Sequence, residues 1–378
     1  MSSWSRRPSD ADVASVVAAA RSGGWLQSDD TAVVLHDLDL LDQRLDELRS
    51  AFPTGALHAI AIKANPLVEI LRRIVAAGCG LEAASFEEVE IARAAGCPAD
   101  RIVYDSPAKT IDELRTALAL GVRVNADNFE ELDRIIAARP EGSRSVVGLR
   151  VNPLVGDGSI PITSVAGARS RFGERIDTVV DGLVRRAEAH PWIRGLHHHV
   201  GSQGVSLDAH AAAAAAMGAL RDELHSRLGR PQFDTIDIGG GATTDYVGEG
   251  AVSPAEFFAA VAAAAPTLFA PDTTIVTEFG AVLANTAVVV SRVEYVKELP
   301  SGPVAVLHVG ADLLLRPAYQ PEHWRHRFSV LPSTPATRSR TGRSCRHGPG
   351  RSAGPSASPA LGSGATSSWA RPEPATTW

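Results

Sequence analysis

The chain has three lysines, and one of them, Lys63, follows an apolar run, His58-Ala59-Ile60-Ala61-Ile62, just before the turn residues Asn65-Pro66. A primary amine in that place can form a Schiff base with an aldehyde, provided burial holds it partly neutral. Lys109 and Lys297 stand in more polar surroundings, so Lys63 is the nucleophile if the protein does imine chemistry. A second group is Gly239-Gly240-Gly241. Glycines let the backbone turn and bring N–H groups close to an anion, and a helix start after them would add a favourable dipole. Standing alone, the triplet is equally well explained as a tight strand-to-helix turn. Glu278, in Ile275-Val276-Thr277-Glu278, is suited to pairing with an arginine or to a hydrogen bond with a protonated ring nitrogen. His197-His198-His199 precede Val200-Gly201-Ser202, and strand alternation puts His197 and His199 on one face. No acidic or cysteine ligand follows at a usual spacing, so no metal is expected. The preferred reading has His199 stacking on an aromatic cofactor and Ser202 donating to a phosphate. A Schiff-base lysine, a phosphate cradle, a carboxylate for a pyridinium nitrogen and a flat stacking group are together what pyridoxal 5'-phosphate requires.

These groups need a scaffold that brings distant segments together. Between about residues 56 and 280, short apolar runs end near Lys63, Ser85, Ser106, Asp127, Asn152, His199, Gly239 and Glu278, and segments with helical periodicity follow them. Eight strand–helix units in roughly 250 residues predict a (β/α)8 barrel, with a doubly wound open sheet as the competing layout. In a barrel, Lys63, Glu82, Ser85, Asp105, Asn125, Asp127, Asn152, His199, Ser202 and Glu278 all gather at the C-terminal face. The glycine triplet follows the seventh strand, where such barrels often hold phosphate.

Thr31 to His36 reads as a strand, followed by a helix through Leu40, Leu41, Leu45 and Leu48; Thr286 to Leu299 and Val304 to Val309 read as further strands. The expected organisation is an N-terminal segment (1–35) contributing to a β-rich domain, a barrel (36–284), an incomplete remnant of that β-rich domain (285–331) and a tail (332–378). From Pro332 onward there is no Ile, Val, Phe, Tyr, Met, Lys or Asp, a composition that predicts disorder and that follows Leu331 as abruptly as a changed reading frame would. The net charge of −6, with no basic block, gives no support to nucleic-acid binding. No apolar run reaches the roughly 18 residues of a membrane span. Met1 to Arg7 lacks the apolar core of a signal peptide, and Cys79, Cys97 and Cys345 form neither a disulfide framework nor a metal spacing. A cytoplasmic protein is expected.

The motifs Ala61-Ile62-Lys63-Ala64-Asn65, Gly80-Leu81-Glu82-Ala83-Ala84-Ser85 with Glu87-Glu88, Ser170-Arg171-Phe172-Gly173, His199-Val200-Gly201-Ser202 and Asp237-Ile238-Gly239-Gly240-Gly241 make the chain resemble the alanine-racemase-like (fold type III) pyridoxal-phosphate decarboxylases. That group contains the diaminopimelate, ornithine and arginine decarboxylases, and the resemblance runs from about Thr31 to Val330. It implies an alanine-racemase-like barrel, pyridoxal 5'-phosphate held on Lys63, His199 stacked on its ring, and Glu82 among the cofactor-binding residues. It further implies Ser202, Gly239, Gly240 and Gly241 on the phosphate and Glu278 on the ring nitrogen. Arg316 and Tyr319, in Leu315-Arg316-Pro317-Ala318-Tyr319, resemble the family segment that grips a distal substrate carboxylate, which points to diaminopimelate rather than ornithine. The resemblance implies decarboxylation of diaminopimelate to lysine and carbon dioxide by a homodimer. The alternatives are an ornithine- or arginine-type decarboxylase, a racemase, or a non-catalytic cofactor-binding relative. The chain departs from the family at Ile60, where an aromatic is usual; at Glu82, where aspartate is common; and at Phe279 and Ala281, in place of proline and a later arginine. His308-Val309-Gly310-Ala311-Asp312 is also unlike the usual diaminopimelate enzyme. The family's C-terminal cysteine–glutamate–aspartate motif has no counterpart, Cys345 lacking acidic neighbours, so weakened dimerisation and low activity are expected.

Overall fold

A computed structural model describes residues 2–160, 163–246, 250–322 and 324–332. They form two units, one within Met1–Ser5, Leu38–Asp245 and Gly250–Ala284, the other within Arg6–Asp37, Tyr246–Glu249 and Asn285–Trp378. The second unit begins with α1 (Asp10–Ser22) and β1 (Ala32–His36). The chain then enters the first unit through α2 (Leu38–Ala51), β2 (Leu57–Ala61), α3 (Val68–Ala76), β3 (Gly80–Ala83), α4 (Phe86–Ala94), β4 (Ile102–Tyr104), α5 (Ile111–Leu120) and β5 (Arg123–Ala126). It continues through α6 (Phe129–Ala138), β6 (Val147–Asn152), the two-residue β7 (Glu174–Arg175), α7 (Val179–Ala189), β8 (Ile193–His197), α8 (Leu207–Leu228), β9 (Thr235–Asp237), α9 (Pro254–Ala264) and β10 (Thr274–Thr277). Eight of these strands pair in parallel in the order β5-β4-β3-β2-β10-β9-β8-β6, and β5 pairs with β6 to close the ring. Closure decides for the barrel against the open sheet. Where an eighth crossover helix was expected after β10, only a short 3-10 turn, Gly280–Leu283, follows; α2 packs against α9 instead.

Period-two alternation explains why the barrel presents chemistry at one end. Leu81, Tyr104, Val124, Leu149, Leu196, Ile236 and Ile275 belong to the main apolar core shared with the helices. The alternate positions form a small separate cluster, Leu57, Ala59, Val103 and Val276. Two residues beyond Val103 is Asp105, and two beyond Val276 is Glu278; the same step on other strands brings Glu82, Asn125, Arg150, His197 and Asp237 into the inward layer. The apolar fill of the barrel thus gives way to a layer of ionisable groups, all of them buried.

Residues 2–5 group with the barrel rather than with the sheet-bearing unit. Trp4, 3% exposed, meets Phe279 edge-on at 6.2 Å, and Ser3 N and Oγ donate to Glu47. In the other unit β1 pairs antiparallel with β11 (Ala287–Ser291), with Val34 opposite Val289, so segments from before and after the barrel share one small sheet. β12 (Val293–Leu299) and β13 (Gly302–Leu307) form a second antiparallel pair, followed by α10 (Ala311–Tyr319). The tail, with Cys345, lies outside the described residues. No helix among the described residues is long and apolar enough to cross a membrane.

Candidate active site

Lys63 sits in the 3-10 turn Ile62–Ala64, just past the end of β2. Its Nζ donates to both carboxylate oxygens of Glu82, at 2.9 and 2.8 Å. The lysine side chain is 55% exposed and Glu82 is 0% exposed, so a partly exposed lysine stands on a fully buried acid. The expectation that burial keeps this amine partly neutral does not hold. Desolvation does pull its pKa down, but the charges of Glu82, Asp105 and Glu278 outweigh it and the net shift is upward. Without a ligand, Lys63 is a firmly held ammonium.

Lys109 stands in the polar surroundings expected of it but is the more buried lysine, with a side chain 0% exposed. Its Nζ donates to Ser106 O (2.5 Å), Asn125 O (2.8 Å) and Glu131 Oε1 (2.9 Å). All three ammonium protons are used, which ties the loop after β4 to β5 and α6.

Four carboxyl groups crowd the inward layer. Burial raises Glu82 well above its ordinary value, nearby Asp105 adds to this, and Lys63 opposes it. Burial also raises Glu278 well above the ordinary range, reinforced by the charges of Asp237, Asp105 and Glu82. Burial pushes Asp237 up to about 6, although it accepts hydrogen bonds from Gly239 N (3.0 Å) and Asn125 Nδ2 (3.1 Å). Asp105 moves the other way: burial would raise it, but Lys63, His197 and the proton on Glu82 hold it low.

The glycine triplet, His199 and Glu278 form one linked assembly. Glu278 N donates to Gly239 O (2.8 Å), Gly240 N donates to His199 Nδ1 (3.0 Å), and that nitrogen lies 3.6 Å from Glu278 Oε2. Because Nδ1 accepts, the proton of the neutral ring is on Nε2. Burial, then the charges of Arg150 and Lys63, depress His199 well below its ordinary value and keep it neutral. A Cβ on Gly240 would come within 2.4 Å of Glu278 O, and one on Gly241 within 2.2 Å of Gly201 O, so neighbouring backbone permits only glycine. The helix dipole expected behind this turn is missing, because α9 begins only at Pro254. Ser202, in the loop after β8, has its amide bonded to Thr163 O at 3.2 Å.

Other strand-end residues have structural duties. Ser85 Oγ caps α4 by accepting from Glu88 N, Asp127 Oδ1 accepts from Gly173 N, and Asn152 Nδ2 donates to Gly167 O. One inward group, Arg150, escaped the sequence reading of the site, and another, His197, was placed on the same face as His199 but given no role. Arg150, whose guanidinium lies 4.7 Å over the Phe172 ring, is 8% exposed and its charge helps to keep His197 and His199 neutral. His197, 0% exposed, has Nε2 3.6 Å from Glu278 Oε1 and 3.9 Å from Asp105 Oδ2. Neither of its ring nitrogens has a hydrogen-bond partner, and neither does Glu278 Oε1. Counting the inward position two residues back from Asn152 would have found Arg150. Arg316 and Tyr319 belong to the other unit, on α10; the Arg316 guanidinium lies 5.0 Å over the Trp324 ring, and Tyr319 is 66% exposed.

A family profile described as "Pyridoxal-dependent decarboxylase, pyridoxal binding domain" matches residues 38–285. The diaminopimelate decarboxylase of Pseudomonas aeruginosa is 32% identical over 287 residues, 75% of this chain and 68% of that protein. That of Pseudomonas fluorescens is 33% identical over 291 residues, again 75% of this chain and 68% of the relative. In fold, the chain is similar to the crystal structure of diaminopimelate decarboxylase from Helicobacter pylori complexed with L-lysine (TM-score 0.73, 24% identity, 81% of this chain and 77% of that one). It is also similar to the lysine/ornithine decarboxylase from Vibrio vulnificus complexed with putrescine (TM-score 0.69, 22% identity, 84% and 80% covered).

Proposed function

The chain belongs to the pyridoxal-dependent decarboxylases, and from that premise we propose that it converts diaminopimelate to lysine and carbon dioxide, with Lys63, His199 and Glu278 as its catalytic residues. The observation that carries the reading is the convergence of an amine, a glycine turn and a buried carboxyl with an unpartnered oxygen at one end of one barrel.

These residues fit pyridoxal phosphate. Glu278 Oε1 is a buried acceptor without a partner, which a protonated ring nitrogen would satisfy. The Gly239-Gly240-Gly241 turn, with Ser202, supplies a side-chain-free surface for the phosphate, and His199 offers a flat neutral ring. The bound cofactor supplies an electron sink for the charge left when carbon dioxide departs.

The protein's own part is to manage protons and orientation. Lys63 must lose a proton before it can act as a nucleophile, and Glu82, in contact through both oxygens and with its own pKa raised, is placed to accept it. His199 is fixed in one tautomer and orientation by Gly240 N. Glu278, whose pKa burial and the surrounding acids hold high, would pair with the ring nitrogen as a carboxylate once that nitrogen carries a proton. Arg316 and Tyr319 are assigned to the substrate's distal carboxylate on their sequence segment alone, and a cytoplasmic homodimer completes the reading.

The test is product analysis with purified protein and added cofactor, offering diaminopimelate, lysine, ornithine and arginine in turn. Carbon dioxide and lysine should appear from diaminopimelate. Release from ornithine or arginine instead would reassign the substrate. Inversion without gas would make the protein a racemase, and bound cofactor without any product a non-catalytic relative. Light scattering on the same sample reads the dimer.

A further inference from the structure

Among the four crowded carboxyl groups, one has no role in the reading above. Glu82 holds Lys63, Asp237 is bonded by Gly239 and Asn125, and Glu278 offers its free oxygen. Asp105 remains. Its backbone N–H donates to Ala83 O (3.2 Å), which fixes it beside β3, and alternation from Val103 turns its side chain inward. That side chain is 7% exposed. Among the described residues its surroundings are the Glu82 carboxyl, to which it is hydrogen-bonded, His197 Nε2 at 3.9 Å, and the charges of Lys63 and Arg150. One oxygen of Asp105, one of Glu278 and one nitrogen of His197 all lie within 4.8 Å of one another.

A buried carboxylate that no amide or hydroxyl supports is strongly disfavoured unless a counter-charge or a shared proton faces it. Two carboxyl groups in hydrogen-bond contact hold one proton between them. We propose that Asp105 is a positioning residue: with Glu82 it forms an acid pair that holds Lys63 in place as an ammonium and takes up its proton when the amine acts. When the amine acts, the proton already shared by the pair passes to Asp105 and the proton leaving Nζ replaces it on Glu82, so none is lost to solvent and the pair goes from one negative charge to none. Upward adjustment of the lysine by Glu82, Asp105 and Glu278 agrees with this. The groups facing Lys63 are these three acids, at the ends of β3, β4 and β10, with His199 beyond β8, whose neutrality Arg150 on β6 also maintains. The inference rests on Lys63 being the working amine.

The three lysines make the test direct. Competitive trace acetylation of the cofactor-free protein, resolved by peptide mass, compares Lys63 with exposed Lys297, while Lys109, at 0% side-chain exposure, serves as the unreactive control. In the wild type Lys63 should react more slowly than Lys297 near neutral pH despite its partial exposure; equal rates would overturn the proposal without any variant. Asp105→Asn removes the charge and keeps the shape, and should raise the Lys63 rate about tenfold relative to Lys297, the change expected from one unit of pKa. Asp105→Glu should restore the slow rate. An Asp105→Asn protein that melts normally with an unchanged Lys63 rate would sink the idea. Because no cofactor is present, a chain that failed to bind pyridoxal phosphate would refute the functional reading without touching this result.

Discussion

Lys63 and Lys109 are both paired with glutamates, yet their surroundings are opposite. Lys109 is sealed, its three protons all given to fixed acceptors, with Glu131 Oε2 in turn accepting from Asp127 N at 2.6 Å. Lys63 is partly exposed and gives its protons to one carboxylate that Asp105 and Glu278 crowd. Unpartnered polar atoms, the His197 ring nitrogens and Glu278 Oε1, lie beside the second pair; Lys109 and Glu131 include none. A lysine with every bond made is a staple, whereas one held by surplus charge next to unmade bonds is ready to exchange its partner.

The largest expected effect breaks that contrast at the mouth. Lys63→Ala should reduce carbon dioxide release to background and remove the visible absorbance of the bound cofactor. An unchanged spectrum would exclude Lys63 as the attachment point. Next in size is Gly240→Ala. Its Cβ meets the Glu278 carbonyl at 2.4 Å, and backbone there can yield only by displacing Glu278 or His199. Misplacement of that order should lower turnover about a hundredfold, with cofactor affinity measured alongside.

Lys109→Met sharpens the same contrast from the other side. It leaves Glu131 as a buried acid without its cation, and urea titration should show a loss of about 3–5 kcal/mol. Cofactor absorbance should persist in whatever fraction stays folded. Loss of the absorbance with stability intact would mean that the staple and the site are not separate.

The sequence revealed the mouth better than it revealed charge. Lys63, Glu82, His199, the glycine triplet and Glu278 each stand where an apolar run stops, and a local pattern is enough to find such positions. Arg150 and Asp237 lie within strands and their inward direction depends on register, so they read as interruptions of apolar runs. The burial of Lys109 was not legible because Ser106 and Glu131 lie on segments that only the folded barrel turns inward. The ammonium state of Lys63 was invisible for the same reason: Glu82, Asp105 and Glu278 come from three strands, and their combined field exists only once the ring closes. The missing dipole behind the glycine turn shows the limit of local reading, since the intervening loop delays the helix to Pro254.

The smallest expected effect separates the two faces of the strand that leads to Lys63. His58 alternates outward on β2, is 4% exposed, and its Nδ1 lies 2.8 Å from Thr277 Oγ1, with Phe52 edge-on at 5.2 Å. Burial, assisted by the Arg49 charge, lowers its pKa from 6.5 to about 4. The folded chain therefore refuses a proton that the unfolded chain accepts, so stability is intact above 6.5 and declines as pH falls toward 4. His58→Gln should remove that part of the acid decline, worth at most about 3 kcal/mol, and leave the cofactor spectrum and its pH midpoint where they were. Urea titrations at both ends of that window give the stability arm, and absorbance titration gives the other. A shifted spectral midpoint would show that the outer face of the strand communicates with Lys63, and the separation of staple from site would have to be abandoned.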